Sequence, residues 1–266
     1  TKSVPHCVRV AEILEKFAKL AGYEQAQHIG HLRRETAAET ISFENVTLLT
    51  PGGERTLFRN LSFALPKGGS LLIAGPTGTG KSSALRAMAG LWNMGHGTVR
   101  TPPEDKTLYL PQRPYMVLGS LRHQLLYPGN AAVPPTDDEI VAALREACLG
   151  ELVQRHPDLS DEADWGRILS LGEQQRMGFA RAYLSAAEFI FLDEATSAVD
   201  VKTERRLYTQ LLSRPVTLVS VGHRPTLHAY HNLVLDLRTD GTGEVMSIER
   251  YLAQPSDPPP PARLVL

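Results

Sequence analysis

The chain has 266 residues, of which 42% are hydrophobic and 21% charged, and its formal net charge is −1 at pH 7. This balance is typical of a globular protein with a sizeable core, and without a basic excess the chain is not expected to bind nucleic acid. Its two cysteines, Cys7 and Cys148, lie too far apart for a metal-binding spacing, which indicates a reducing compartment rather than a disulfide framework.

The first 36 residues predict a helical linker. Apolar residues recur at spacings of three and four, at positions 10, 13, 14, 17, 20 and 21, and therefore share one stripe of a helix. Such a stripe fits a helix that packs on its own domain, or the end of a preceding transmembrane domain. The chain begins at Thr1 rather than at a methionine, so we expect it to be part of a longer protein. No apolar run approaches the ~18 to 20 residues of a transmembrane helix.

From residue 41 onward the pattern changes to short strands and helices. Residues 41–49, 56–65 and 70–74 predict strands, separated by turns rich in proline and glycine. Further strands are predicted at 107–110, 188–192, 216–221 and 233–237, and helices at 81–89, 137–148, 173–184 and 201–212. This alternation predicts an α/β layer fold with a largely parallel sheet. The proline-rich residues 253–266 predict a disordered tail.

A glycine-rich segment, GPTGTGKS, follows the strand at 70–74 and matches the phosphate-binding pattern G-x-x-x-x-G-K-[ST] in full. Its glycines let successive backbone N–H groups turn around a phosphate, and the N-terminus of the next helix adds partial positive charge. Lys81 is predicted to reach the β- and γ-phosphates, and the Ser82 hydroxyl to bind Mg²⁺. The predicted nucleotide-binding residues of this segment are Gly75, Pro76, Thr77, Gly78, Thr79, Gly80, Lys81, Ser82 and Ser83.

The apolar strand at 188–192 is followed by two acids, Asp193 and Glu194. Carboxylates at the end of a buried strand need a cation or a proton to offset their desolvation. In a protein with a phosphate loop, the first acid supports Mg²⁺ and the second polarises the water that attacks the γ-phosphate. The alternative is a solvated strand end with an acid that caps a helix.

The segment LSLGEQQR at 169–176 resembles the signature motif of ABC ATPases, whose usual form is L-S-G-G-Q. Leu171 replaces the first glycine and Glu173 replaces the glutamine, whereas Ser170 and Gly172 are kept. A Ser-x-Gly turn that opens a helix can bind an anion, although a capped surface helix has the same pattern. In the family this motif serves the ATP of the other protomer, so the resemblance implies that Ser170 and Gly172 bind ATP across a dimer.

Further segments resemble ABC motifs in the family order. Gln112 resembles the glutamine of the Q-loop, which contacts Mg²⁺ and the membrane domain, and residues 197–200, SAVD, resemble the D-loop. His223 resembles the switch histidine, which hydrogen-bonds the γ-phosphate. The resemblance implies that Glu194, His223 and Gln112 are catalytic, and that Ser82, Gln112 and Asp193 hold Mg²⁺.

The resemblance also implies the architecture: a P-loop NTPase with a RecA-like parallel sheet core, an antiparallel β layer near 41–70, and a helical subdomain near 113–186. The ATPase domain would then span 37–252. Many ABC domains stack adenine on an aromatic residue, but the matching position here falls near Thr50, and Phe58 is the nearest aromatic. How adenine is held therefore stays open.

Two classes of function fit these motifs: the motor of a membrane transporter, with ATP and Mg²⁺ as cofactors, or an ABC module of a soluble, non-transport complex. A single phosphate loop and the absence of a long insertion between Gln112 and Ser170 favour the transporter. The expected partners are then a transmembrane domain, fused in the full-length chain, and a second copy that closes head to tail over two Mg·ATP.

Flanking segments at 90–92, 110–115, 119–122 and 127–128 resemble subfamily D, the peroxisomal fatty-acyl carriers. The segment 164–176 resembles their bacterial SbmA/BacA-like relatives, so the resemblance implies the cytoplasmic face of a bacterial inner membrane, with the peroxisomal membrane as the alternative. Trp165 lies where exporters meet the opposite membrane domain, or it anchors the signature segment.

Overall fold

The computed structural model describes residues 30–37, 39–128 and 134–254. The predicted apolar stripe at positions 10–21 and residues 255–266 of the predicted tail lie outside these ranges. None of the helices in these ranges is both long and apolar enough to cross a membrane.

The described strands form three sheets. In chain order they are β1 (Arg33–Thr36), β2 (Thr40–Leu49), β3 (Thr56–Pro66), β4 (Ser70–Ala74), β5 (Gly95–Thr101), β6 (Thr107–Leu110), β7 (Gly119–Ser120), β8 (Glu162–Ala163), β9 (Phe189–Asp193), β10 (Thr217–Val221), β11 (Leu233–Leu237) and β12 (Gly243–Ser247). The strands predicted at 107–110 and 233–237 match β6 and β11, and the other predicted strands agree with the structure to within one residue at each end.

The described α-helices are α1 (Lys81–Met88), α2 (Leu121–Leu126), α3 (Asp137–Glu146), α4 (Gly150–Arg155), α5 (Trp165–Ile168), α6 (Leu171–Leu184), α7 (Val201–Leu212) and α8 (Ile248–Leu252). Two short 3-10 helices occur at Glu104–Lys106 and Pro225–Tyr230. Helix α6 begins with a capping box between Ser170 and Glu173, and α7 is capped by Asp200, whose side chain accepts a hydrogen bond from the Thr203 amide.

The largest sheet has the strand order β12-β11-β4-β10-β9-β6. Neighbouring strands from β11 to β6 are parallel, and β12 is antiparallel to β11 at the edge. Parallel strands end at the same edge of a sheet, and ligands of open α/β sheets bind there. The phosphate loop follows β4, Gln112 follows β6, Glu194 follows β9 and His223 follows β10. The topology therefore gathers the predicted motifs at one edge.

A second sheet, ordered β1-β5-β2-β3, packs against the first. Strands β2, β3 and β5 are antiparallel neighbours, as the predicted β layer requires, whereas β1 pairs with β5 in parallel. Residues 33–36 were expected to belong to the helical linker that ends at residue 36. They form strand β1 of this sheet instead, so the boundary of the domain lies before residue 33.

Apolar side chains cover both faces of the largest sheet. On β9, Phe189 and Phe191 pack with α1 and the second sheet, and Ile190 and Leu192 pack with the helices on the other face. A strand buried on both faces is apolar at every position, which is why β9 shows no alternation in sequence. The helices on the second face, from α2 to α6, lie within the predicted helical subdomain and bring the signature segment toward the sheet edge.

Candidate nucleotide site

The phosphate loop is held open by backbone that favours glycine. Gly75, Gly78 and Gly80 have φ values of 127°, 82° and 95°. A Cβ at Gly75 would lie 2.1 Å from the carbonyl oxygen of Leu237, so any larger residue would displace β11. Pro76, like Thr77 and Gly78, is exposed at the tip of the loop. The loop therefore offers an open cradle of backbone N–H groups at the start of α1.

Lys81 is folded back into its own loop. Its Nζ donates hydrogen bonds of 2.8 Å to the carbonyl oxygens of Gly75 and Pro76, and the residue is 7% exposed. Burial lowers the pKa of Lys81, and the negative charge of Glu194 acts in the opposite direction. No carboxylate forms a salt bridge with this ammonium among the described residues, so it is available to an anion in the loop.

Asp193 is fixed by three donors. The Ser82 hydroxyl donates to Oδ1 at 2.7 Å, the Tyr109 hydroxyl donates to Oδ2 at 2.7 Å, and the Arg86 guanidinium donates to Oδ2 at 3.3 Å. Burial raises the pKa of Tyr109, and the charge of Asp193 raises it further, so the phenol remains a donor at neutral pH. The contact between Ser82 and Asp193 joins two of the three residues predicted to hold Mg²⁺.

The three predicted catalytic residues meet around one carboxylate. The Gln112 amide donates to Glu194 Oε2 at 2.9 Å, and His223 Nε2 lies 3.3 Å from Glu194 Oε1. Glu194 has a φ of 51°, a left-handed backbone that costs free energy in a residue with a side chain, and its N–H donates to the carbonyl oxygen of Val221. This strained turn directs Glu194 toward Gln112 and His223.

The available donors fit a nucleotide with a hard divalent cation. Mg²⁺ prefers oxygen ligands and is usually bound by one or two carboxylates together with phosphates and water. Ser82 and Asp193 provide a hydroxyl and a carboxylate beside the open loop, and the side chain of Gln112 lies at the neighbouring Glu194. Among the described residues, no group of three or more His, Cys, Asp and Glu side chains forms a metal site.

The signature segment opens a helix at the surface. The Ser170 hydroxyl accepts a hydrogen bond from the Glu173 N–H, and the Glu173 carboxylate accepts from the Ser170 N–H at 2.9 Å. Partial burial acts to raise the pKa of Glu173, but the hydrogen bonds from Ser170, with Arg155 nearby, lower it overall. Within the described residues, neither Ser170 nor Gly172 hydrogen-bonds to the phosphate loop of the same chain. A Cβ at Gly172 would lie 2.8 Å from the carbonyl oxygen of Ala198, so a glycine is required where α6 approaches the D-loop.

Burial excludes Phe58 as a stacking partner for adenine and decides between the two predicted roles of Trp165. Phe58 is fully buried in the core between the two sheets and cannot stack on a base. Trp165 is also fully buried, its Nε1 donates to the carbonyl oxygen of Gly119 at 2.9 Å, and its ring lies edge-on to His156. Trp165 therefore anchors the signature segment.

Motif comparison alone missed three residues of this site: Arg86, Tyr109 and Gln175. Arg86 lies four residues after Ser82, so both side chains occupy one face of α1, and helical periodicity could have revealed it. Tyr109 is followed by Leu110, Pro111 and Gln112. Gln175 has no signal in the sequence beyond its place next to the signature motif.

Three features define a P-loop nucleotide-binding domain: an open phosphate loop, a strand-end carboxylate beside it, and a hydrogen-bonded glutamate at the same edge of a parallel sheet. A family model described as "ABC transporter" matches residues 58–197, more than half of the 266 residues. The chain belongs to the ABC transporter family, as its ATP-binding domain.

Relatives support this assignment. The chain is 46% identical over 209 residues to an uncharacterised ABC transporter ATP-binding protein of Synechocystis, with 79% of this chain and 32% of the relative covered. It is 39% identical to the chloroplastic ABC transporter D family member 2 of Arabidopsis thaliana, covering 79% of this chain and 36% of the relative. For the lysosomal cobalamin transporter ABCD4 of Homo sapiens the identity is 38%, and the shares are 81% and 37%.

The fold agrees with a solved bacterial Atm1-family ABC exporter with ATP bound. The TM-score is 0.68 at 22% sequence identity, with 87% of this chain and 44% of that chain covered. The predicted fold class and the resemblance to subfamily D are thus confirmed. The chain spans about a third of the length of the curated relatives, all three of them named as transporters or transporter ATP-binding proteins. The alternative of a soluble, non-transport complex finds no support among them.

Proposed function

We propose that this chain is the ATP-hydrolysing motor of a membrane transporter. The supporting observation is that Gln112 and His223 both contact the carboxylate of Glu194. The same sheet edge also carries Lys81 and the contact between Ser82 and Asp193. A carboxylate that accepts hydrogen bonds beside a phosphate cradle is suited to orient a water molecule and accept its proton.

In this mechanism Lys81 exchanges its two backbone acceptors for the β- and γ-phosphates of ATP. Because its pKa is lowered by burial, an anion in the loop restores a favourable environment for the charged ammonium. Mg²⁺, when bound, neutralises charge on the β- and γ-phosphates. Ser82, Asp193 and Gln112 would hold it. Glu194 orients the attacking water, and His223 hydrogen-bonds the γ-phosphate.

The second half of each site comes from another copy of the chain. Ser170 and Gly172 lie at the exposed N-terminus of α6, where backbone N–H groups and the helix dipole favour an anion. Two copies arranged head to tail would bring each signature segment to the ATP in the opposite phosphate loop. Closure is driven by the tighter binding of ATP to the closed state, and hydrolysis reopens the dimer.

The remaining part of the transporter is a transmembrane domain, which we propose is fused to this chain in the full-length protein. The chain spans about a third of its curated relatives, and one of these is named as a lysosomal cobalamin transporter. The exposed side chains Tyr115 and Leu118, just after Gln112, lie where a membrane domain would receive motion from the Q-loop. We place the domain at the cytoplasmic face of a membrane, the bacterial inner membrane being favoured over the peroxisomal one.

The experiment is ATP hydrolysis measured against protein concentration, with Glu194→Gln as the control and size-exclusion chromatography alongside. The proposal predicts a rate that rises more than linearly with protein concentration, loss of the rate in Glu194→Gln, and an ATP-dependent dimer of that variant. A rate strictly proportional to protein concentration, with no dimer at any ATP concentration, would contradict the composite site.

A further inference from the structure

One buried amide joins the signature helix to three other motifs of the same chain. Gln175 lies on α6, five residues after Ser170, and is 1% exposed. Its Nε2 donates to the carbonyl oxygen of Gln112 at 2.8 Å, to Ser197 Oγ at 3.0 Å and to the carbonyl oxygen of Glu194 at 3.4 Å. Its Oε1 accepts from the N–H of Ala198 at 2.9 Å.

These contacts require an amide. The groups that Gln175 contacts lie on two separate segments. One acceptor, the carbonyl of Gln112, follows β6; the other acceptors, on Glu194 and Ser197, and the donor N–H of Ala198 follow β9. A primary amide offers two donors and a carbonyl acceptor on one planar group. A side chain of equal length without polar atoms would leave the partly buried carbonyls of Gln112 and Glu194 without this partner, which costs more than the bonds themselves contribute.

We propose that Gln175 is a positioning residue that couples the signature end of α6 to Glu194 and the Q-loop of its own chain. The coupling rests on the proposed function, in which Ser170 serves the nucleotide of a second copy. Helix α6 is continuous from Leu171 to Leu184, so a shift of its N-terminus moves Gln175 with it. Gln175 then carries that shift to the backbone of Glu194 and Gln112, which act on the chain's own nucleotide.

A consequence is that the two nucleotide sites of a dimer communicate. When the signature of one copy binds the nucleotide held by its partner, Gln175 of that first copy adjusts Glu194 and Gln112 of the first copy. These residues act on the other nucleotide of the dimer. Coupling of this kind appears as positive cooperativity in ATP, with a Hill coefficient between about 1 and 2 for two sites.

The adjacent Gln174 provides a matched control. It is 5% exposed on the same helix, and its Nε2 donates to the carbonyl oxygens of Gly166 and Leu169, both in the helical layer. Gln174→Met therefore removes two hydrogen bonds of a buried amide, compared with four for Gln175→Met, without touching the D-loop, Gln112 or Glu194. Gln175→Met removes all the contacts to these segments, and Gln175→Glu keeps an acceptor for Ala198 but sets an oxygen against the carbonyls of Gln112 and Glu194.

The test compares Gln175→Met, Gln175→Glu and Gln174→Met in the full-length protein by steady-state ATP hydrolysis. For Gln175→Met we expect a kcat about tenfold to a hundredfold lower, because small displacements of catalytic groups have effects of this size. Its KM for ATP should change little, and the Hill coefficient should fall to about 1. Gln174→Met should keep the Hill coefficient of the unsubstituted protein.

A second readout does not depend on turnover. Hydrogen exchange at the Ala198 amide should accelerate in Gln175→Met but stay protected in Gln175→Glu and Gln174→Met. If Gln175→Met does not fold, Gln175→Glu tests the coupling instead. We expect a lower kcat and a Hill coefficient of about 1 for this variant. If the unsubstituted protein hydrolyses ATP cooperatively and the Gln175 variants do so equally, the coupling is wrong although the proposed function stands. If the unsubstituted protein neither binds nor hydrolyses ATP, the proposed function itself fails.

Discussion

Gln112 donates a hydrogen bond of 2.9 Å to the carboxylate of Glu194, although 82 residues separate them in the chain. Because β6 and β9 are neighbouring parallel strands, their ends present both side chains at one edge. His223 approaches the other carboxylate oxygen from the end of β10, the neighbour of β9 on its opposite side. Glu194 is thus held between two side chains rather than lying free at the end of its strand.

Replacing Glu194 with glutamine keeps its shape but removes its capacity to accept a proton. We expect Glu194→Gln to lower kcat about a hundredfold or more, since a general base contributes ~10²- to 10⁴-fold. ATP affinity should be retained, because Lys81 and the phosphate loop, which are proposed to bind the phosphates, are unaffected. Equilibrium binding of a fluorescent ATP analogue, alongside phosphate release, checks both. Unchanged steady-state hydrolysis would remove Glu194 from the mechanism.

Tyr109 is predicted to orient Asp193 for cation binding. Tyr109→Phe removes the 2.7 Å hydrogen bond to Oδ2 and leaves Arg86 as the donor to that oxygen. Loss of a hydrogen bond to a charged group costs about 1.5 to 3 kcal/mol. We therefore expect a clear loss of ATP affinity in the presence of Mg²⁺ and little change with EDTA.

The control is Tyr251→Phe on α8, a partly buried tyrosine far from the site along the chain. Isothermal titration with and without Mg²⁺ provides the measurement. Equal losses under both conditions would mean that Tyr109 acts on general stability rather than on the cation site.

Glu204 is predicted to stabilise the D-loop through contacts separate from those of Gln175. It is fully buried and accepts hydrogen bonds from Thr196, Thr226 and Arg224. Arg224 also donates to the carbonyl oxygens of Ser197 and Val199. Glu204→Gln removes the buried charge and weakens these hydrogen bonds, while Arg224 stays one third exposed and keeps its two carbonyl acceptors. We therefore expect the free energy of unfolding to fall by about 1.5 to 3 kcal/mol, the range for hydrogen bonds to charged groups.

The control for Glu204 is Glu244, which forms two exposed ion pairs, one with Arg238 and one with Arg250. Exposed ion pairs contribute about 0 to 1 kcal/mol, so Glu244→Gln should leave the free energy of unfolding nearly unchanged. Chemical denaturation of both variants at one pH measures the difference. Equal stability of the two variants would show that the buried network does not stabilise the D-loop.

His231 is predicted to make stability depend on pH. It is 3% exposed, and burial lowers its pKa to about 4. Its Nδ1 contacts the carbonyl oxygen of Leu227, and its Nε2 contacts Ser220 Oγ. Since a carbonyl can only accept, Nδ1 carries the proton and Nε2 accepts from the serine hydroxyl.

The unfolded chain binds a proton at His231 near its ordinary pKa of 6.5, whereas the folded chain does not until about pH 4. The stability contributed by His231 is therefore present above pH 6.5 and is lost as the pH falls from 6.5 to 4, by about 3 kcal/mol in total. Unfolding of the native protein and of His231→Gln over this range measures it. Parallel pH profiles for the two proteins would show that His231 remains accessible to protons.

The main residues of the candidate site could be proposed from the sequence because the patterns that indicate them are local. The phosphate loop follows an apolar strand, and the two acids lie at the end of another; both strands are buried on both faces, and such apolar runs are evident without a structure. The signature helix α6 begins at Leu171 rather than at 173, because the capping box between Ser170 and Glu173 fixes its first turn.

Strand β5 was missed because its first half lacks the apolar and β-branched residues that identify a strand. Gly95 and Gly97 have φ values of 149° and 98°, and a Cβ at either would lie within 2.5 Å of the β2 carbonyl oxygens of Thr47 or Asn45. The register of β2 against β5 shifts between Glu44 and Thr47, so the two backbones approach closely there. The need for glycine at these two positions comes from the close approach of β2, so the sequence of β5 alone shows no strand pattern.

The contacts of Gln175 and Tyr109 could not be predicted for a related reason. Each links segments far apart in the chain, from Gln175 to Gln112 and from Tyr109 to Asp193. Only the strand order β10-β9-β6 brings these segments together, and one sequence does not specify that order.

The most direct test of the composite site is complementation between two inactive variants. Lys81→Ala disables the phosphate loop, and Ser170→Arg blocks the signature segment. In a head-to-tail dimer, a mixed pair has one site with both defects and one site with none. We predict that each variant alone is inactive and that an equal mixture recovers measurable ATP hydrolysis, at most about a quarter of the normal rate, since half of the dimers are mixed and each has one intact site of two. Mixed dimers that form but hydrolyse no more ATP than the separate variants would contradict the account.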